Sequence, residues 1–92
     1  MKTIWKFILK PEIEIEMPKG TEILTVAAQR DEICLWAKVD PNMQREKRKF
    51  MTFGTGHDIP DIEMKYIGTS QLSGGALIFH TFEVIGNGVS NP

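Results

Sequence analysis

The segment FGTGHDIP, residues 53–60, contains the residue types most able to do chemistry in this chain. Glycines on both sides of Thr55 could let backbone N–H groups converge on an anion, as they do in phosphate-binding loops. Such loops usually open a helix, whereas the residues that follow, IPDIEM, lack a helical pattern. Two interpretations remain. The segment is a simple turn leaving a strand, or it is a ligand-binding loop in which Thr55, Gly56 and His57 donate hydrogen bonds.

A metal site is a further interpretation of the same region. His57, Asp58, Asp61 and Glu63 offer imidazole and carboxylate ligands, and His80 could join them from a later strand. Their spacing matches no recognised pattern of metal ligands, and acidic residues are common in loops. The sequence therefore predicts neither a metal nor another cofactor.

Catalytic side chains are not evident elsewhere. The single cysteine, Cys34, has no base beside it in the sequence, and no serine lies in a GxSxG elbow.

Apolar residues surround His80 on both faces of its segment, LIFHTF. This pattern predicts a core histidine in a strand that is covered on both sides, with its ring nitrogens satisfied by neighbours.

The run REKRK, residues 45–49, is the densest local charge. Such runs are usually solvated loops. If Arg48 and Lys49 project beside a tryptophan, however, they could pair with phosphates while the indole stacks on a base. Trp36 is the candidate for that stacking role, and a structural position in the core is its alternative.

The elements that must position these residues are predicted to be strands. Ile13, Ile15 and Met17 alternate with glutamates, which indicates a strand with one buried face, and similar short segments recur between turn residues. About seven short, mainly antiparallel strands predict an all-β sandwich or barrel. Hairpin turns are predicted at residues 30–32 and 73–75, and residues 43–49 are predicted to be a loop that leads into the strand KFMTF.

Length and charge limit the function further. Ninety-two residues predict a single domain, residues 1–85, with a flexible tail at 86–92, and so small a core favours a homo-oligomer. A net charge of −1 gives no electrostatic footprint for DNA, RNA or an anionic membrane. The lone cysteine fits a reducing, cytoplasmic compartment, and the opening residues lack the features of a signal peptide.

Several blocks of the sequence resemble a known family. The blocks MKTIWKF, IEMPKGTEILTV, CLWAKVDP, KRKFMTFGTGHDI and YIGTSQLSGGALIFHTFEV resemble a family of small phage and prophage proteins classed as a domain of unknown function. The resemblance runs from Met1 to about Val84. It implies a phage protein in the cytoplasm of an infected bacterium, similar in size to the small oligomeric sponges that hide immune signals from host effectors.

The resulting expectation is a non-catalytic protein that sequesters a nucleotide-derived ligand of the cyclic nucleotide type. The residues expected to bind it are Trp36, Arg48, Lys49, Thr55, Gly56 and His57. An alternative from another class is a protein-interaction or virion accessory module that docks on a host or phage protein. A third, a metal-dependent phosphodiesterase, would require His57, His80 and a carboxylate to converge.

Overall fold

The computed structural model describes residues 1–86 and confirms the predicted all-β class. Its seven strands are β1 (Thr3–Ile8), β2 (Glu12–Pro18), β3 (Glu22–Gln29), β4 (Glu32–Val39), β5 (Arg45–Gly54), β6 (Met64–Leu72) and β7 (Leu77–Val84). A short 3-10 turn, Ser73–Gly75, joins the last two strands. Within the described residues no helix is long and apolar enough to cross a membrane. Residues 87–92, most of the predicted flexible tail, lie outside the described residues.

The strands form two antiparallel sheets that pack as a sandwich. One sheet has three strands in the order β1-β4-β3, and the other has four in the order β2-β5-β7-β6. Apolar side chains on the facing sides build the core, whose buried members are Leu9, Met17, Val26, Leu35 and Phe50. The predicted alternation in β2 is confirmed, because Ile13, Ile15 and Met17 all pack into this core while the intervening glutamates are exposed.

The prediction of a loop at residues 43–49 is wrong, because β5 already begins at Arg45. The charged run is strand because its alternate side chains match the neighbouring strand. Lys47 lies opposite Glu16 and Lys49 opposite Glu14 across the antiparallel pair with β2. Opposite charges in such cross-strand pairs stabilise a sheet. A search for apolar periodicity does not detect a strand of this kind.

Two turns lie at the same end of the sandwich. Arg30 and Asp31 have positive φ values of 53° and 61°, as the two-residue turn of the β3–β4 hairpin requires. Asp31 Oδ1 accepts a hydrogen bond from the Ser73 backbone N–H at 3.2 Å. This bond ties the hairpin of the three-stranded sheet to the β6–β7 turn of the four-stranded sheet.

The two sheets approach each other closely near the middle of β3 and β6. A Cβ added to Gly68 of β6 would lie 2.9 Å from Val26 Cγ2 of β3, so only glycine allows this approach of the two sheets. Both strands carry an irregularity in register here, between Ile23 and Thr25 and between Tyr66 and Gly68. Such bulges increase the local bend of a strand, and here the two bent strands pack against each other.

Candidate functional site

A cleft of about 350 Å³ opens between the sheets at the end where the two turns meet. It is lined by residues from five of the strands and their connections: Ile8, Leu9, Lys10, Pro11, Asp31, Glu32, Ile33, Thr52, Gly54, His57, Leu72 and Phe79. A volume of this size lies within the range of small-molecule sites. We refer to it as the cleft.

The connection between β1 and β2 forms one wall of the cleft. Leu9 donates a backbone hydrogen bond to Ile33 O at 2.9 Å, and Pro11 O accepts one from the Thr52 N–H at 2.8 Å. The connection is therefore anchored to both sheets. Leu72 and Phe79 supply apolar surface from the four-stranded sheet. The interior of the cleft is thus mostly apolar and fixed in place by backbone bonds.

Hydroxyl groups lie at the inner side of this apolar space. Thr52 Oγ1, in the cleft wall, bonds to Thr81 Oγ1 at 3.0 Å. Ser70 lies one inward-facing position beyond Leu72 on β6, is 3% exposed, and its Oγ has no hydrogen-bond partner among the described residues. A buried hydroxyl without a partner is uncommon in folded proteins. Ser70 itself is not part of the cleft wall, and its Oγ is buried.

The rim of the cleft carries charged and polar groups that are exposed to solvent: Lys10, Asp31, Glu32 and His57. Within residues 1–86, neither Lys10 Nζ nor the ring nitrogens of His57 take part in a hydrogen bond or an ion pair. The Lys10 ammonium and the His57 imidazole are therefore both available to bind a ligand. Asp31 already uses one carboxylate oxygen for the Ser73 bond.

The GTGH segment places His57 at the cleft. His57 N–H bonds to Gly54 O at 3.1 Å, and Gly56 has a φ of 90°, the conformation that the third residue of a type II turn needs. A Cβ on Gly54 would lie 3.0 Å from His57 Cε1 and 3.1 Å from its Nδ1. Gly54 thus lets the imidazole lie flat against the strand end. The segment is a turn, and it also orients one side chain toward the cleft.

The same segment faces a second surface through Thr55. Thr55 Oγ1 lies 2.7 Å from His80 Nε2 on the outward side of the four-stranded sheet. His80 Nδ1 lies 3.0 Å from Thr69 Oγ1, which also bonds to the Tyr66 hydroxyl. The predicted satisfaction of the His80 nitrogens is confirmed. The prediction that its strand is covered on both sides is wrong for the single chain, because His80 points away from the core.

Arg48 lies between the sheets, at the end opposite the cleft. Its guanidinium forms a two-pronged ion pair with Glu83 at 2.6 and 2.8 Å and donates to Thr21 O at 2.6 Å. The hydrogen bond to Glu83 raises the pKa of Arg48 above its ordinary value despite partial burial, so the group stays charged. All three guanidinium nitrogens are engaged, which is the arrangement of a structural ion pair.

Trp36 and Lys49 lie on other surfaces. Trp36 is half-buried on the outward side of the three-stranded sheet, opposite Lys6 and Thr25 in the neighbouring strands. Lys49 lies on the outward side of the four-stranded sheet and pairs with Glu12 at 2.6 Å. Within one chain the structure joins Thr55, Gly56 and His57 in one turn but brings neither Trp36 nor Arg48 to it. Their role in ligand binding stays a prediction.

The predicted metal ligands are not gathered together. Among residues 1–86, no group of three or more His, Cys, Asp or Glu side chains is arranged to hold a metal ion. His57 points to the cleft, whereas His80 is bonded to two threonines on the outward side. The two histidines therefore serve different surfaces.

Comparison with known proteins gives a family without an assigned activity. A family model described as Domain of unknown function (DUF7352) matches residues 1–91. No curated protein and no solved structure matches the chain. The candidate site is thus defined by the geometry of this chain alone.

Proposed function

The chain belongs to the DUF7352 family, a domain of unknown function, and we propose that it is a non-catalytic module that binds a small ligand in the cleft. The observation that carries the proposal is the combination of an apolar, anchored interior with unpaired donors at the rim, Lys10 and His57. Ligand sites commonly have this composition, in which apolar surface supplies affinity and a few polar groups fix orientation.

We propose a nucleotide-derived compound as the ligand. A base fits a mostly apolar slot beside Phe79, and Lys10 and His57 at the rim suit a phosphate through charge-assisted bonds. Asp31 and Glu32 would accept hydrogen bonds from ribose hydroxyls or an exocyclic amine.

Binding rather than turnover fits the surroundings of His57. A histidine that acts as a general base is usually oriented by a carboxylate or another acceptor on its second nitrogen. In the described part of the chain, no carboxylate is within hydrogen-bond distance of that ring. The proposal therefore includes release of the ligand unchanged.

The biological setting of the proposal rests on the resemblance to phage proteins. In that setting the protein sequesters an immune signal of the cyclic nucleotide type in the cytoplasm of an infected bacterium. The family match supports a shared domain and supplies no activity. The screen below therefore uses candidate immune signals as ligands, so that a hit identifies the ligand class that this setting requires.

The test is a thermal-shift screen against linear and cyclic mono-, di- and trinucleotides and the products of ADP-ribose cyclisation. A ligand present at ~1,000 times its Kd adds about 4 kcal/mol to the native state, which shifts the Tm of so small a domain by many degrees. A hit is then measured by calorimetry with Lys10→Ala and His57→Ala. Lys19→Ala is the matched control, because Lys19 is equally exposed and lies outside the cleft.

We expect each rim variant to weaken binding about tenfold, and Lys19→Ala to leave it unchanged. The ligand recovered after heating should be chemically intact. Equal losses with Lys10→Ala and Lys19→Ala would show that the ligand binds elsewhere, and recovery of a converted product would replace binding by catalysis. No shift with any compound would contradict a nucleotide ligand.

A further inference from the structure

The outward side of the four-stranded sheet carries a continuous apolar surface. Its members, which we call the outer face, are Met51, Phe53, Met64, Tyr66, Phe82 and Val84. The ring centroids of Tyr66 and Phe82 are 5.5 Å apart, and those of Phe53 and Phe82 are 5.9 Å apart, both with edge-to-face geometry. Tyr66 is 55% exposed. This is a joined aromatic patch, not a set of isolated side chains.

The polar groups within the outer face are bonded to one another. The bonds run from Tyr66 to Thr69, from Thr69 to His80 Nδ1 and from His80 Nε2 to Thr55, and one set of donors satisfies all three: Tyr66 to Thr69, Thr69 to Nδ1, and Nε2–H to Thr55. Covering this surface would thus leave neither imidazole nitrogen without a partner. A surface that meets water or a polar ligand has no need for such internal pairing, whereas a surface buried by protein does.

We propose that a second copy of this chain covers the outer face, forming a two-fold dimer in which the four-stranded sheets pack face to face. Four strands about 4.8 Å apart and about eight residues long, at about 3.3 Å per residue, present roughly 500 Å² per copy, hence roughly 1,000 Å² in a dimer. That is the lower limit for a specific interface. The outward glutamates of β2 and the outward lysines of β5, Lys47 and Lys49, nearly cancel in charge, so the face lacks the basic surface that a nucleic-acid backbone requires.

Charge also selects the orientation of the two-fold axis. An axis perpendicular to the strands would place the glutamates of β2 against the same glutamates of the second copy. An axis parallel to the strands, between β5 and β7, places β2 against the second copy's β6, whose outward side chains are uncharged. The aromatic side chains of β5 and β7 then face each other. In this arrangement Met64 lies over the second copy's Glu14.

The experiment is sedimentation velocity of the full chain from about 1 µM to about 300 µM, which brackets a micromolar Kd. We expect the wild-type chain to convert from monomer to dimer over this range. Tyr66→Glu should weaken dimerisation roughly a hundredfold, because it buries a carboxylate against apolar surface. Ile4→Glu is the matched control, because Ile4 is 58% exposed on the outward side of the other sheet, and it should leave the Kd unchanged.

A second pair of variants tests the orientation without changing an aromatic residue. Met64→Lys should tighten dimerisation about threefold by pairing with Glu14 of the second copy, and Met64→Glu should weaken it. Far-UV circular dichroism checks that each variant is folded. If Tyr66→Glu is unfolded, the dimerisation Kd values of Met64→Lys and Met64→Glu test the proposal in its place. A wild-type chain that is monomeric at the highest concentration, or a dimer broken by Ile4→Glu and insensitive to the Met64 pair, would overturn the proposal.

Discussion

The cleft and the outer face contain similar side chains but differ in how their polar atoms are bonded. In the cleft, the His57 ring and Lys10 Nζ have no hydrogen-bond or ion-pair partner within the described residues. On the outer face, both nitrogens of His80 are bonded to threonines. A free donor gains most from a ligand, whereas a satisfied group can be covered without loss. Hydrogen bonding, more than exposure, therefore distinguishes the proposed ligand site from the surface that we propose is covered by a second copy.

The ion pair between Arg48 and Glu83 joins β5 and β7, two strands that contribute to both regions, at the end opposite the cleft. We expect Arg48→Met to lower the free energy of unfolding by about 3–5 kcal/mol, because it leaves a nearly buried carboxylate without its partner. Urea denaturation measures this loss. Lys49→Met, which breaks the exposed pair with Glu12, should cost about 0–1 kcal/mol.

The double variant Arg48→Met with Glu83→Leu sharpens this prediction, because removing both charges should restore most of the stability. If Arg48→Met is as stable as the wild-type chain and loses only ligand affinity, Arg48 belongs to a binding site. Arg48 would then have the ligand-binding role predicted from the sequence, and its pair with Glu83 would not be needed for stability.

The hydroxyl of Thr69 tests whether the outer face is covered. Thr69→Val removes the group that links Tyr66 to His80. If a second copy covers it, the variant should cost about 1–3 kcal/mol at concentrations where the dimer forms, and less than about 0.5 kcal/mol in the dilute monomer, where water replaces the lost bond. Urea denaturation at the two concentrations measures both values.

Thr25→Val is the control for this experiment, since Thr25 is exposed on the other sheet and, among residues 1–86, its hydroxyl bonds only to a nearby backbone oxygen, Val26 O. Its cost should not depend on concentration. An equal cost of Thr69→Val at low and high concentration would mean that the outer face stays in water.

Much of the fold could be predicted from the sequence. The alternation of Ile13, Ile15 and Met17 and the turns at residues 30–32 and 73–75 depend on local chemistry, and each appears in the structure. The start of β5 could not be predicted in this way. Its first residues are charged, and they form strand because β2 presents glutamates opposite Lys47 and Lys49. Pairing between distant segments is not visible in one segment alone.

The candidate site was only partly predictable. His57 was selected from its glycine-flanked turn, and it does line the cleft. Lys10, Asp31 and Phe79 were missed, because they come from three connections or strands that meet only when the two sheets pack. The sequence does contain one signal for these residues. The two predicted hairpin turns and Pro11 mark the ends of strands, and the connections of a sandwich cluster at its two ends.

Displacing the His57 ring from Gly54 tests whether the cleft binds ligand, and its expected effect on affinity is smaller than the stability changes above. Gly54→Ala should displace the ring and weaken binding of the probe 8-anilinonaphthalene-1-sulfonate, which joins apolar rings to an anion, about tenfold. Its free energy of unfolding should change little, because His57 is exposed and can move. Fluorescence titration measures the affinity.

Gly56→Ala is the complementary variant. A Cβ at Gly56 would meet no atom of the described residues within 4 Å, but the φ of 90° at this position disfavours alanine, so the free energy of unfolding should fall by about 1 kcal/mol.

The Tyr66→Glu variant tests whether the probe binds the outer face instead of the cleft. Unchanged probe affinity in Gly54→Ala, together with a loss in Tyr66→Glu, would move the ligand site from the cleft to the outer face.

The charge of Asp31 gives the smallest predicted effect and the most direct test of the ligand's charge. Asparagine keeps the oxygen that accepts from Ser73 N–H and tolerates the positive φ of this turn, so Asp31→Asn removes only the negative charge at the rim. We expect the affinity for the anionic probe to rise about twofold at low salt and to return to the wild-type value as salt screens the rim. Asp61→Asn, outside the cleft, should have no effect. A fall in the affinity of the anionic probe with Asp31→Asn would contradict an anion-binding rim, because neutralising this carboxylate should only reduce the repulsion of an anion.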